Sequence, residues 1–69
     1  MDCFVVTREG VYRHEIIGIV SSEELGKLLA EKAFAAERDN YHDFEVRKFV
    51  LDKPIVEDGE LVYSVEGSH

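Results

Sequence analysis

The side chains able to do chemistry in this 69-residue chain are few and scattered. Outside the carboxylates, the conventional metal ligands are Cys3, His14, His42 and His69. None stands at the i, i+4 or C-x-x-C spacing through which two ligands reach one ion, so no metal site is expected. His69 closes Gly67-Ser68-His69, and residues 67–69 are read as a disordered tail or the remnant of a tag. A nucleophilic pair would need Cys3 beside His14 or His42, with positive charge nearby to stabilise the thiolate. A cysteine in an apolar N-terminal run is ordinarily a small buried hydrophobe, and Cys3 is read that way.

Paired carboxylates occur at Glu23-Glu24 and Glu57-Asp58. The first pair suits the positive end of a helix and the second a solvated turn, which explains both without acid and base roles. Gly10, Gly18, Gly26, Gly59 and Gly67 stand singly, and none opens a helix in a phosphate-cradling pattern. The chain is therefore not read as an enzyme, and no cofactor is expected.

What remains is recognition chemistry. Arg8, Tyr12, Arg13 and His14 lie close together early in the chain, and Tyr41, His42 and Asp43 follow the expected helix. Aromatic and hydroxyl-bearing side chains beside histidine and arginine suit stacking and hydrogen bonding to a peptide or a nucleotide-like ligand. The plainer account makes Tyr12 and Tyr41 covers for core edges, and Arg13 and His14 solvated residues of an edge strand. A second candidate surface is the charged helix face where Phe34 is expected beside Lys27, Glu31 and Arg38.

The elements that must position these groups are marked by pattern and punctuation. Residues 3–7 are a strand-forming run ended by Arg8-Glu9-Gly10, a turn in which the glycine is expected to take a positive φ. Residues 11–20 read as a second strand hairpinned to the first, with Gly18 marking a bulge or a close approach by the helix. In Ser21-Ser22-Glu23-Glu24, Ser21 and Glu24 are spaced as a capping box, with Val20 and Leu25 as the staple around it. The helix is expected from Ser22 to about Asp39, ended by a left-handed Asn40, with Leu25, Leu28, Leu29, Ala33 and Ala36 inward. Residues 44–51 form a third strand closed by Asp52-Lys53-Pro54, and residues 61–65 a fourth after the turn at 57–60.

The result is an α+β domain, ββαββ, with one helix on a mostly antiparallel four-stranded sheet of order 2-1-3-4. Connections this short place strand three antiparallel beside strand one. On this scheme the loop after the helix emerges where strand one begins, away from the polar half of strand two, so the sequence does not bring the two halves of the recognition cluster together.

So short a chain forms a single domain, residues 1–66, and buries only about 60% of its unfolded surface. A lone cysteine rules out an internal disulfide, which leaves self-association, most simply a homodimer, as the route to further burial. Hydrophobic residues at 45% with 33% charged are the composition of a folded protein. Eight basic against fifteen acidic residues give a net charge of -7, which disfavours nucleic acid and favours basic protein surfaces. No apolar run approaches the roughly 20 residues of a membrane span, and the first residues lack a basic signal-peptide region. A single unpaired thiol suits a reducing compartment, and the cytoplasm is the expected location.

Three segments carry a resemblance: Phe4-Val5-Val6-Thr7-Arg8-Glu9-Gly10-Val11-Tyr12, Gly18-Ile19-Val20-Ser21-Ser22-Glu23-Glu24 and Tyr41-His42-Asp43-Phe44-Glu45-Val46. Together they look like small uncharacterised proteins of bacteriophage and prophage genomes, with a V-x-V-V-T start, a G-x-Y turn and an I-x-G-V-F-S-x-x-E helix start. The resemblance spans most of residues 3–52 and departs at Val20, where the family often has Phe. It implies a phage-type origin and brings no known catalytic residues. The expected function is a non-enzymatic binding protein that engages a host macromolecule, in its narrowest form an inhibitor of bacterial immunity acting on a host protein. The alternatives are an oligomeric sponge for a small nucleotide ligand and an accessory structural phage protein.

Overall fold

The computed structural model describes residues 1–38, 41–52 and 59–67. The expected helix end at Asp39-Asn40, the closing Lys53-Pro54 and the turn residues Glu57-Asp58 lie outside them. Four strands and one helix follow in the order β1 (Asp2–Glu9), β2 (His14–Val20), α1 (Glu23–Ala36), β3 (Asp43–Val50) and β4 (Glu60–Val65). The strands form one antiparallel sheet of order β2-β1-β3-β4, as the short connections require. The helix lies across one face and touches all four strands.

Period-two alternation sorts the sheet residues. Phe4 and Val6 of β1, with Phe44 and Val46 of β3, point at the helix and form the buried core with Ala30. Both edge strands carry an irregularity. In β2 the register passes from Val6↔Gly18 to Thr7↔Ile16, leaving Ile17 over; in β4 it passes from Val46↔Tyr63 to Arg47↔Leu61, leaving Val62 over. Ile17 and Val62 both pack against the core, so each bulge adds apolar cover and interrupts the edge ladder.

Gly18 answers both expectations made of it. It adjoins the bulge, and a Cβ there would lie 2.4 Å from Leu29 Cδ2. The positive φ expected at Gly10 is found instead at Gly59 (φ 79), under the ring of Phe49, and at Asp52 (φ 63). Strand β2 begins at His14, not Val11, because residues 10–13 are the hairpin turn, closed by Gly10 N–H donating to Arg13 O at 2.8 Å.

The helix departs from expectation in its start, its end and its rotation. The N-cap is Ser22, whose Oγ accepts from the Leu25 amide at 3.2 Å, so Ser21 and Glu24 do not form a capping box. Val20 is not a staple partner for Leu25 but approaches Gly26, where a Cβ would lie 3.6 Å from Val20 Cγ2. The face turned to the sheet is Gly26, Leu29, Ala30, Ala33 and Phe34. Leu25 and Leu28, expected inward, are 49% and 52% exposed, and Ala36 is exposed as well.

Close approach is the physical reason. A Cβ on Gly26 would sit 2.8 Å from Val46 Cγ1, so the small residues let the helix lie directly on β3, where leucines would hold it away. The two stripes differ by one residue, a rotation of roughly 100°. The helix ends at Ala36 with Glu37 extended (φ -73, ψ 137), because the next inward position would be a glutamate with no place in the core.

Candidate functional site

The antiparallel pairing of β1 with β3 decides where the recognition residues lie. Their ladder runs from Asp2↔Val50 to Glu9↔Asp43, so the start of β3 stands beside the end of β1, next to the hairpin turn. This corrects the sequence-based placement of the loop after the helix at the beginning of strand one. Tyr41 and His42 consequently meet the turn that carries Tyr12 and Arg13. The contact is close: a Cβ on Gly10 would lie 3.2 Å from His42 Cδ2.

Carboxylates fix both histidines at this end. His14 lies opposite Glu9 in the β1–β2 register and pairs with its carboxylate through Nδ1. His42 Nδ1 donates to Glu37 at 2.8 Å to Oε2 and 3.2 Å to Oε1, bridging the segment after α1 to the start of β3. The rings of Tyr41 and His42 stand edge to face, with centroids 5.4 Å apart at 85°. Asp43 Oδ1 accepts the Gly67 amide at 2.7 Å, tying the end of β4 to the same corner.

Around this frame lie two adjoining open clefts. One, of about 330 Å³, is lined by Gly10, Val11, Tyr12, Arg13, Tyr41 and His42. The other, of about 410 Å³, is lined by Glu9, Gly10, Val11, Tyr41 and Asp43. Tyr12 is 95% exposed, Val11 is exposed beside it, and Arg13 makes no ion pair among the described residues. Of the expected binding residues, Tyr12, Arg13, Tyr41 and His42 line one cleft, whereas His14 follows the turn, paired with Glu9, and lines neither. Arg8 does not join them: it stands on the helix side of the sheet and pairs with Glu15 at 3.0 Å. Glu9, Gly10, Val11 and Glu37 belong to the site and were missed. The antiparallel register would have found Glu9, and the five-residue reach from Glu37 to His42 was the signal for the other carboxylate.

The second expected surface does not form as read. Phe34 points inward and packs edge to face on Phe44, with centroids 6.2 Å apart, because the helix is rotated from the leucine stripe. Lys27 pairs with Glu23 at 3.1 Å and sits 5.5 Å from the Tyr63 ring centre, and Glu31 accepts the Tyr63 hydroxyl at 2.7 Å. This cluster fastens the helix to β4, and Arg38 stays exposed near the helix end.

A carboxylate-braced histidine is part of what nucleophilic catalysis needs, but among the described residues no serine, threonine or cysteine lines either cleft. Cys3 is half-buried rather than fully buried. It pairs with Phe49 about six residues, roughly 20 Å, along β1 from the histidine end. Among the described residues, no three of His, Cys, Asp and Glu gather as metal ligands, and no helix is long and apolar enough to cross a membrane. The arrangement can stack, desolvate and hydrogen-bond. No family model, curated protein or solved structure matches the chain.

Proposed function

We propose that this is a non-catalytic binding protein that engages a macromolecular partner through the hairpin end of its sheet. The observation that carries the reading is the near-complete exposure of Tyr12, at 95%, on a turn braced by two histidine–carboxylate pairs. An aromatic side chain held out on a rigid support loses little conformational freedom on docking and brings a large contact area. Val11 and Tyr41 extend the apolar surface, and Arg13 adds a cation with no competing partner among the described residues.

The resemblance to small phage proteins supports a host protein as that partner, in the cytoplasm of a bacterium, with a component of bacterial immunity as the narrowest form. The net charge of -7 steers the molecule toward basic surfaces. Immobilised protein should retain a specific host protein at low salt and less of it at high salt, whereas a Tyr12→Ala variant should retain none. Failure of the unaltered protein to retain any specific protein at either salt concentration would count against the proposal.

The clefts favour a second reading. At about 330 and 410 Å³ they match the lower range of small-molecule sites, and Arg13 offers an anionic ligand such as a nucleotide its counter-charge. Thermal-shift measurements against nucleotides separate the two readings: stabilisation that disappears in Arg13→Ala supports the ligand, and no shift at ligand excess removes it.

A further inference from the structure

The middle of the sheet face away from the helix exposes apolar side chains around an ordered pair of charges, with Glu9, His14 and Asp43 at its hairpin end. Strand register places residues of all four strands in two neighbouring rows across that face. One row reads Ile19, Val5, Arg47, Leu61, and the next Ile16, Thr7, Glu45, Ser64. Ile16 and Ile19 are 66% and 64% exposed, and Leu61 is exposed as well. Among the described residues, every fully buried hydrophobic side chain belongs to the opposite face or to the helix.

We propose that two copies of the chain meet through this face as a two-fold sandwich, an inference that does not depend on the hairpin-end reading. A two-fold axis in the interface, perpendicular to β3 at the level of Val46, exchanges the two rows. It brings Ile16 onto Ile19 of the second copy and Arg47 onto its Glu45, so each strand lies over its own counterpart. Within one chain Arg47 Nη2 already reaches Glu45 Oε1 at 3.0 Å. In the pair the four charges would close a neutral ring at the centre of the interface.

The face is large enough for this. Four strands about 4.8 Å apart and seven residues long at about 3.3 Å each span roughly 19 by 23 Å. With pleating and side chains added, that reaches the small end of specific interfaces. Packing across about 10 Å is the ordinary geometry of sandwiches, with inner apolar residues interdigitated. The bulges in β2 and β4 work against pairing at the sheet edges and leave the face as the favoured contact. Much of the acidity lies elsewhere, including Glu23, Glu24, Glu31 and Glu37 on and beside the helix, so the rows themselves carry one positive and one negative charge.

The test is sedimentation equilibrium on the whole chain. The unaltered protein should have twice the chain mass of 7.9 kDa. Glu45→Arg and Arg47→Glu place like charges against each other across the axis, and each variant alone should sediment as a monomer with an unchanged circular-dichroism spectrum. Mixed in equal amounts, an Arg/Arg face meets a Glu/Glu face and the dimer should return. Ile19→Lys should give a monomer that neither charge variant rescues, and Leu28→Lys on the outer helix face should stay dimeric. A monomeric parent, a mixture that fails to pair, or a dimer lost in Leu28→Lys but kept in Ile19→Lys would overturn the proposal.

Discussion

Phe34 meets Phe44 edge to face, with ring centroids 6.2 Å apart and planes at 89°. The pair joins the last turns of the helix to the start of β3, and so sets which side of the helix the sheet sees. Edge-to-face rings add roughly 0.5–1.5 kcal/mol beyond the area they bury. Phe34→Ala should therefore destabilise the protein by about 2–4 kcal/mol, whereas Leu28→Ala on the exposed side should change it by less than about 0.5 kcal/mol. Urea denaturation of the two variants measures the difference, and equal losses would mean that the helix is turned the other way.

The closeness of helix and sheet at Gly26 has its own signature. A side chain there meets Val46, which is fully buried and branched at Cβ, so neither group can turn aside. Gly26→Val should cost about 1–3 kcal/mol by overpacking. Gly18→Ala should be milder, because the atom it meets is the free end of Leu29. Thermal melts of the two variants should rank them in that order.

The helix cap distinguishes neighbouring serines. Ser22 Oγ receives the Leu25 amide, and no such bond forms at Ser21. Ser22→Ala should lose about 1 kcal/mol, and Ser21→Ala close to none. Denaturant midpoints for the pair provide the check.

Much of this architecture is legible in the chain. Alternation and short connections lead to four strands in the observed order, although Arg8 and Glu9, expected in the first turn, are the last residues of β1, and Gly18 announces both a bulge and a helix contact. The rotation of the helix is not legible, because Leu25, Leu28 and Leu29 outweigh Gly26, Ala30 and Ala33 on any measure of hydrophobicity. Distance of approach, which only the packed structure sets, favours the smaller stripe. At the site, the residue types were visible at Tyr12, Arg13, Tyr41 and His42, but their meeting follows from Glu9 standing opposite Asp43. That register lets the turn and the loop share one end of the sheet.

Tyr63 carries a pH dependence of its own. Its hydroxyl donates to the Glu31 carboxylate, and this hydrogen bond, then partial desolvation and the carboxylate's charge, raise its pKa above the ordinary tyrosine value of 10.0. Because the neutral form is the one held in the folded state, the contribution is fully present below the ordinary tyrosine range. It is lost as pH rises through the raised value. In spectrophotometric titration, Tyr63 should ionise above the ordinary tyrosine value of 10.0, and Glu31→Gln should bring its titration back toward that value. A Tyr63→Phe variant identifies the signal, and an unchanged profile in Glu31→Gln would refute the assignment.

The most direct test of the hairpin-end reading is photocrosslinking inside bacterial cells, with a photoreactive phenylalanine analogue placed singly at Tyr12 and at Leu28. Both side chains are exposed, so either position tolerates the replacement. The proposed function predicts a discrete crosslinked adduct with a second protein from Tyr12 and none from Leu28. An adduct from Leu28 with nothing from Tyr12 would contradict it.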